Sequence, residues 1–361
     1  DRQTDRQTDR QTDRQTDRRD YYDVLRLILI VLVVVGHSTY YNIVTHFGGI
    51  YYLDLMNSAN IINPIFYKIV NYITAFIYTF HMPVFIALSG SIFALSKKEK
   101  FIIFTYKKAK RLLIPLIVVW ILWNFPIKYF TGYYTNVSTS KIFIQLIFPA
   151  SVHLWYLECL FFVFILAFYI VKFSKKVQEF IVFILWGVGI VVYRRLGQCH
   201  PLGDPLYYLG WFYLGYRIED TIIVALKKIH FWNDFAICSI FVMDIVVFGI
   251  NRIFTIKLLN PLCTYIFFPI MMFIVLNYLS RRINFKGKWL EKVSGYGMGI
   301  YLYAEPLNYL LLYLFYNYYG IKYFGTNVGA ATIYFSRLLI TPLVAIVITW
   351  ILKKLNFKYL Y

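Results

Sequence analysis

Windows of about 20 predominantly apolar residues recur along nearly the whole chain, and that recurrence leaves few folds open. In hydrocarbon every backbone N–H and C=O needs an internal partner, so such windows read as α-helices rather than open strands. Ten spans can be drawn, near residues 24–44, 66–95, 112–130, 153–172, 179–193, 205–218, 232–251, 261–280, 296–319 and 331–352. The second is long enough to tilt, or to break at Pro83. Of the 361 residues 60% are hydrophobic, against about 45–50% in a soluble protein, and lipid has to solvate the excess. The expectation is an all-α integral membrane protein, a bundle of about ten transmembrane helices. It forms one membrane domain over residues 20–361, because no stretch is polar enough for a second, soluble domain.

The first eighteen residues repeat DRQT in strict register, and the tail over residues 1–19 has no apolar stripe. Such a segment is expected to be disordered, and without an apolar centre it is no signal peptide. The tetranucleotide GACA, repeated, translates as Asp-Arg-Gln-Thr, so the tail reads as a translated four-base repeat. Gain or loss of one unit would shift the frame and switch the gene off. Sequencing the tract across a population tests this, and one invariant length would exclude it. The other reading is a start codon placed too far upstream.

A formal net charge of +19 could point to nucleic acid, but its distribution points elsewhere. Lysine and arginine concentrate in alternate connections, roughly 27 on the side shared by both termini against roughly 7 on the other. The dense runs are Lys97–Arg111, Lys172–Lys176, Arg281–Lys292 and Lys353–Lys358. By the positive-inside rule both termini are cytoplasmic, and the expected partners are anionic membrane lipids rather than nucleic acid. The four cysteines, Cys159, Cys199, Cys238 and Cys263, lack metal-type spacing and read as buried small apolar residues. No metal site is expected.

Chemistry concentrates first in Asp20–Thr39, DYYDVLRLILIVLVVVGHST. Arg26 and His37 are eleven positions apart, which sets them within roughly 20° of each other on a helix and about 16 Å apart along it. An ionisable residue inside an apolar span marks a functional site by default. With the amino terminus inside, Arg26 lies at the cytoplasmic mouth and His37 beyond the midplane. The face between them must line a groove, or His37 must be paired across helices. Asp23 can pair with Arg26 one turn away. Arg26 otherwise suits a cytoplasmic phosphate, and His37 can take or give a proton near neutral pH.

Four further stretches add candidates. In FHMPVFIALSG, His81 precedes Pro83, while Ser89 and Gly90 permit close helix approach. The basic stretch Lys97–Pro115 either anchors on headgroups or presents Lys108 and Arg111, one turn apart, to the anion of Arg26. HLWYLE carries His153, Trp155 and Glu158; its rings suit an interfacial belt or a sugar platform. In the ninth span Glu305 precedes a proline and must be paired or functional, with Arg337 a candidate partner. Asp244 is an isolated carboxylate in the seventh.

These blocks resemble the membrane-bound acyltransferase-3 family in content and order. The resemblance rests on YYDVLR with ten residues between Arg26 and His37, then HMPVFIALSG, KRLLIP, HLWYLE and GIYLYAEPLNY, over about residues 20–352. It implies transfer of an acyl group, often acetyl, from cytoplasmic acyl-CoA to an acceptor such as a hydroxyl of a surface polysaccharide or lipid-linked sugar. It implies no bound cofactor, with acyl-CoA as the donor substrate. His37 corresponds to the family's essential histidine and Arg26 to its first-helix arginine. Lys108 and Arg111 match a paired-arginine motif, in which Lys108 keeps the charge without the bidentate fork. Many members carry a histidine where this chain has Ala304, so that residue's role does not transfer. The chain resembles the stand-alone type, without an appended esterase-like domain, and the implied site is the plasma membrane of a bacterium.

On this reading Arg26, Lys108 and Arg111 hold the donor phosphates. His37 activates the acceptor hydroxyl or transiently accepts the acyl group. Asp23, His81, His153, Trp155, Glu158 and Glu305 are acceptor or support candidates. A transporter or flippase for a glycan or lipid intermediate is the alternative, since intramembrane His, Asp and Glu suit a proton-coupled carrier. No two-fold internal similarity of the kind common in carriers is apparent.

Overall fold

A computed structural model describes residues 20–45, 48–96, 99–147, 153–196, 203–254, 263–283 and 288–361. The DRQT tail, Cys199 and parts of two basic runs, including Lys97, lie outside the described residues. The chain opens with α1 (Asp20–His37), followed by a hairpin of β1 (Asn42–Thr45) and β2 (Gly48–Tyr51) and the short α2 (Tyr52–Ser58). The expected first span, 24–44, therefore ends early. The helix stops at His37, and Asn42–Thr45 pairs antiparallel with Gly48–Tyr51 instead. Its β-branched residues Ile43, Val44 and Thr45 suit that extended conformation.

Next come α3 (Ile65–Ala94) and α4 (Phe101–Val119), which continues through a π-turn into α5 (Phe125–Phe130). They are followed by α6 (Thr139–Ile147), α7 (Trp155–Ile170), α8 (Lys175–Leu196), α9 (Gly203–Tyr216) and, after a second π-turn, α10 (Ile223–Lys228). The last third contains α11 (Asp234–Ile253), α12 (Phe268–Arg282), α13 (Lys288–Ser294), α14 (Gly297–Tyr319), α15 (Ile321–Phe324) and α16 (Asn327–Lys354). A third π-turn, Cys263–Phe267, leads into α12.

Among the described residues six helical stretches are long and apolar enough to cross a membrane: Ile65–Ala94, Phe101–Phe130, Lys175–Arg195, Asp234–Ile253, Cys263–Arg282 and Asn327–Lys354. Helices also overlie the other four expected spans, but each falls short of that criterion for a visible reason. α1 carries Asp20, Asp23 and Arg26. α7 is apolar but short, with 16 residues, and α9 has 14. α14 is long, but tyrosines, Glu305 and two asparagines dilute its apolar character.

α3 is the hub, packed against α1, α9, α12 and α16. Lipid offers apolar groups as good as leucine, so helices in a bilayer associate through close packing and polar bonds rather than hydrophobic transfer. Gly90 and Gly215 provide that closeness. A Cβ on Gly90 would lie 1.9 Å from the Phe212 carbonyl oxygen, and one on Gly215 1.7 Å from that of Ala87. Ser91 then donates to the Gly215 carbonyl at 3.0 Å. Pro83 does not break α3. It removes one backbone donor, which leaves the Thr79 carbonyl without its usual partner one turn on.

On the other side of α3, Leu25 and Leu29 of α1 meet Phe80 and Val84, with Phe273 and Leu276 of α12 behind them. Outward faces carry exposed apolar side chains such as Val31, Phe235, Val242 and Leu343, as lipid contact requires. Cys159 is buried as expected, but Cys238 is exposed, because α11 packs inward through Ile237, Ile240, Asp244 and Phe248 only. Asp244 is fully buried, and neither carboxylate oxygen has a hydrogen bond.

Candidate functional site

The face of α1 that joins Arg26 to His37 lines a succession of cavities. Ile30, Val33 and Val34 lie on it between the two, at the spacing that keeps helix positions in one stripe. At the Arg26 end is a cavity of about 280 Å³ between α1, α3, α4, α7 and α14, bordered also by Lys108, Arg111, Ser294 and Tyr361. At the His37 end is a chamber of about 430 Å³, walled by His81, His153, Trp155 and Arg194 among others. Between them lies a recess of about 20 Å³ that includes His37 and Glu305 in its wall. Ile30 and Phe85 are shared by the first cavity and the recess, Val33 and His37 by the recess and the chamber, and Tyr301 borders all three.

In the first cavity, Arg26 Nη1 donates to Asp23 Oδ1 at 2.8 Å, and the Ser294 hydroxyl donates to the same oxygen at 3.0 Å. Asp23 is buried while the Arg26 side chain keeps 29% exposure, so the carboxylate anchors the guanidinium without covering it. Ile30 closes against Gly297, where a Cβ would lie 2.2 Å from its Cδ1. Lys108 lies in α4, its ammonium 3.6 Å from the Phe164 ring centroid, a cation–π contact. Arg111, one turn on, is exposed. The neighbouring lysines do not join them: Lys107 pairs with Glu99, and Lys110 lies over Tyr106 at 4.2 Å. The expected trio Arg26, Lys108 and Arg111 thus shares one cavity although it comes from two helices far apart in sequence.

His37 ends α1, where the last carbonyls of a helix have no partner in the helix itself. Arg337, fully buried in α16, supplies one. Its Nη2 donates to the His37 carbonyl at 2.6 Å, Nη1 to the Tyr40 carbonyl at 2.9 Å and Nε to Asn308 Oδ1 at 2.9 Å. The expected pairing of Arg337 with Glu305 is therefore not the one formed: all three bonds are directed at main-chain carbonyls and an amide. The imidazole of His37 is left facing the cavities, with the Tyr78 hydroxyl 3.5 Å from Nδ1. Gly36 is required for that neighbour, since a Cβ there would lie 2.3 Å from the Tyr78 ring.

Glu305 meets His153. Oε2 and Nδ1 are 2.9 Å apart, an ion-pair distance between two buried groups, with neither ring nitrogen of His153 aligned in a hydrogen bond. The Tyr301 hydroxyl, one turn before Glu305, donates to the His153 carbonyl. Buried Lys128, over the rings of Tyr133 and Tyr309 at 4.5 and 5.1 Å, adds positive charge near Glu305. A carboxylate at this depth is kept by the cations around it.

His81 lies beside Tyr78 at 4.8 Å between centroids, and its Nδ1 is 3.0 Å from the Ile77 carbonyl of its own helix. Trp155 lines the chamber next to Tyr208, and buried Tyr156 hydrogen-bonds Ser89 at 3.1 Å. Trp155 thus borders the chamber and Tyr156 the first cavity. Glu158, half-buried on α7, borders none of the three cavities. Tyr78 and Tyr301 are neighbours that the motifs do not single out, and the bonds of Arg337 to the end of α1 carry no local signal. The one available for Tyr301 is its position a helical turn before Glu305.

A cavity bordered by Arg26, Lys108 and Arg111, a narrow recess and a chamber bordered by His37, His81 and His153 thus follow one another along α1. The family model described as an acyltransferase domain, that of the acyltransferase-3 family, matches residues 19–353. No curated protein and no solved structure matches the chain.

Proposed function

The chain belongs to the acyltransferase-3 family, and from that premise we propose that it moves an acyl group from cytoplasmic acyl-CoA to a hydroxyl of an extracytoplasmic glycan or related surface molecule. The observation that carries this reading is the unbroken succession of cavity walls from Arg26 through Ile30 and Val33 to His37. On this reading the helices over all ten expected spans cross the plasma membrane of a bacterium, both termini are cytoplasmic, and anionic headgroups meet the basic loops.

The donor phosphates bind Arg26, Lys108 and Arg111, and Asp23 holds Arg26 in place. The thioester arm follows α1 outward to His37. The acceptor enters the chamber, where Trp155 and its neighbouring tyrosines offer faces for a sugar ring and His81 and His153 offer polar contacts. His37 removes the proton from the acceptor hydroxyl, whose oxygen attacks the thioester carbonyl carbon. A C–O bond forms and the C–S bond breaks. The coenzyme leaves as a thiolate and takes the proton back from His37. The two-step variant has His37 nitrogen attack first, which gives an acyl-imidazole and free thiol before the hydroxyl attacks. Glu305, through His153, supplies fixed charge beside the reacting centre.

The test incubates the purified protein in lipid with labelled acetyl-CoA and cell-envelope glycan. Label in ester linkage to the glycan supports the enzyme. Movement of a lipid-linked glycan without modification would replace this reading with the carrier.

A further inference from the structure

We infer that a fourth cavity, apart from the three along α1, holds a further sugar unit of the acceptor and so favours long glycan chains over single units. The inference rests on the acyltransferase reading above. The cavity has about 540 Å³ of space, more than any of the other three, and shares no wall residue with them. It lies between the β1–β2 hairpin, the turn at 131–136 after α5, the start of α6 and the last part of α14. The hairpin follows α1 directly after His37, which puts the cavity at the end of the bundle where the acceptor enters on that reading. His37 itself does not border it, so a sugar held here is not the one acylated.

Its walls combine flat rings with polar groups. Tyr51 is 40% exposed, Tyr313 and Tyr316 are half-buried, and Tyr52 packs against Tyr316 with centroids 5.1 Å apart. Exposed Thr135, Asn136 and Lys141 line it as well. Lys141 has no carboxylate partner, and no carboxylate borders the cavity, among the described residues. A sugar ring has apolar C–H faces and a rim of hydroxyls, and tyrosine rings beside hydroxyl, amide and ammonium groups match both. A lipid tail would match only the rings and leave the polar groups without partners.

The frame of the cavity is built rather than accidental. The Gly49 N–H donates to the Tyr133 carbonyl at 3.0 Å, and a Cβ on Gly48 would lie 2.5 Å from that oxygen. Gly132 turns the chain with a φ of 79°. The Thr45 and Tyr133 hydroxyls share a hydrogen bond, which ties the hairpin to the turn a second time. Tyr133 is buried, its ring 5.7 Å from that of Tyr309 and 4.5 Å from the Lys128 ammonium.

The experiment measures equilibrium binding of envelope-glycan fragments of one, four and eight repeat units to the full-length protein in lipid, without donor, and then KM for the same fragments with acetyl-CoA. A second contact on one chain is intramolecular, so the eight-unit fragment should bind at least tenfold more tightly than the single unit. Tyr51→Ala and Lys141→Gln should each weaken eight-unit binding about tenfold and raise its KM to match. KM for the single unit, KM for acetyl-CoA and kcat should stay as in the wild type, and melting curves report that both variants are folded. Equal KM for one and eight units, or unchanged eight-unit binding in both folded variants, would overturn the holding site and leave the acyltransferase reading standing. Glycan binding that both variants weaken, with no transfer from acetyl-CoA, would remove the acyltransferase reading and keep the glycan site. Neither binding nor transfer overturns both.

Discussion

Arg337 Nη2 donates to the main-chain carbonyl of His37 at 2.6 Å, across 300 residues of chain. The last turn of α1 thereby gains the partner its geometry denies it, and His37 is fixed from behind while its ring faces the cavities. A fully buried guanidinium making three bonds acts here as a bracket. It holds the end of α1, the Tyr40 carbonyl and Asn308 of α14 in one arrangement.

Replacing Arg337 by lysine keeps the charge and loses the fork. Arg337→Lys should lower kcat at least tenfold with little change in KM for acyl-CoA, because Arg26, proposed to hold the donor phosphates, lies about 16 Å away along α1. Each lost buried bond to a charged group should also cost about 1.5–3 kcal/mol of stability. Initial rates at varied donor concentration, alongside melting curves, check both. A change confined to KM would contradict the bracket role.

His37→Ala should abolish transfer while the protein still folds and inserts. The half-buried ring makes no bond shorter than 3.5 Å to a side chain, so little packing depends on it. Acylation at the wild-type rate would exclude His37 as the essential group. Glu305→Gln preserves shape but removes the charge facing His153. It should reduce kcat by about 10–100-fold, the size of effect found when an orienting partner is lost.

Arg26→Ala and Arg111→Ala should each raise KM for acyl-CoA more than they lower kcat, and together more than either alone. Loss of one charge-assisted phosphate contact weakens binding by about tenfold or more. Arg26→Ala also strips the buried Asp23 of its ion pair, so it alone of the two should lower the melting temperature. Equilibrium binding of the coenzyme to each variant, at fixed salt, measures the first effect. Unchanged affinity in the double variant would remove the phosphate assignment.

At the end of the bundle where α1 begins, Glu219 accepts bonds from Tyr21 at 2.5 Å, Tyr22 at 2.9 Å and Arg281 at 2.7 Å, which tie α1 to α12. Partial burial pushes its carboxyl up, but the Arg281 and tyrosine bonds outweigh this and hold it at about 2, below the ordinary 4.5. A depressed carboxylate contributes stability that is complete above its unfolded value and is lost as pH falls through the folded one. Melting temperature should therefore decline between pH 4.5 and pH 2. Glu219→Gln should flatten that decline and start from a lower plateau at neutral pH. An identical acid profile in the variant would assign the decline to other groups.

Part of this arrangement is legible in the residue pattern. The 3.6-residue repeat places Arg26 and His37 on one face and makes a groove between them a requirement. The cavities along Ile30, Val33 and Val34 occupy that face. The membrane character follows from apolar windows alone, because backbone satisfaction in lipid leaves a chain of this kind almost no alternative to helices. The end of α1 is harder to read, and the apolar pattern puts it too late. Tyr40–Thr45 is as apolar as a helix end, and its β-branched residues join a hairpin whose second strand is needed to see it.

Pairing between helices is not legible in this way. Glu305 and Arg337 suggest each other as partners, since both are ionisable and in neighbouring spans; the structure gives Glu305 His153 and turns Arg337 to main-chain carbonyls. Glu158, three residues from Trp155 in the same motif block, borders none of the three cavities. Sequence by itself determined periodicity, charge asymmetry and the residue types available, because these are properties of a single helix in a slab of lipid. Tertiary structure alone decided which carboxylate meets which cation and how narrow the recess beside His37 is. Those depend on rotation and depth of one helix against another, set by contacts such as Gly90 with Phe212 and Gly297 with Ile30 that no local pattern encodes.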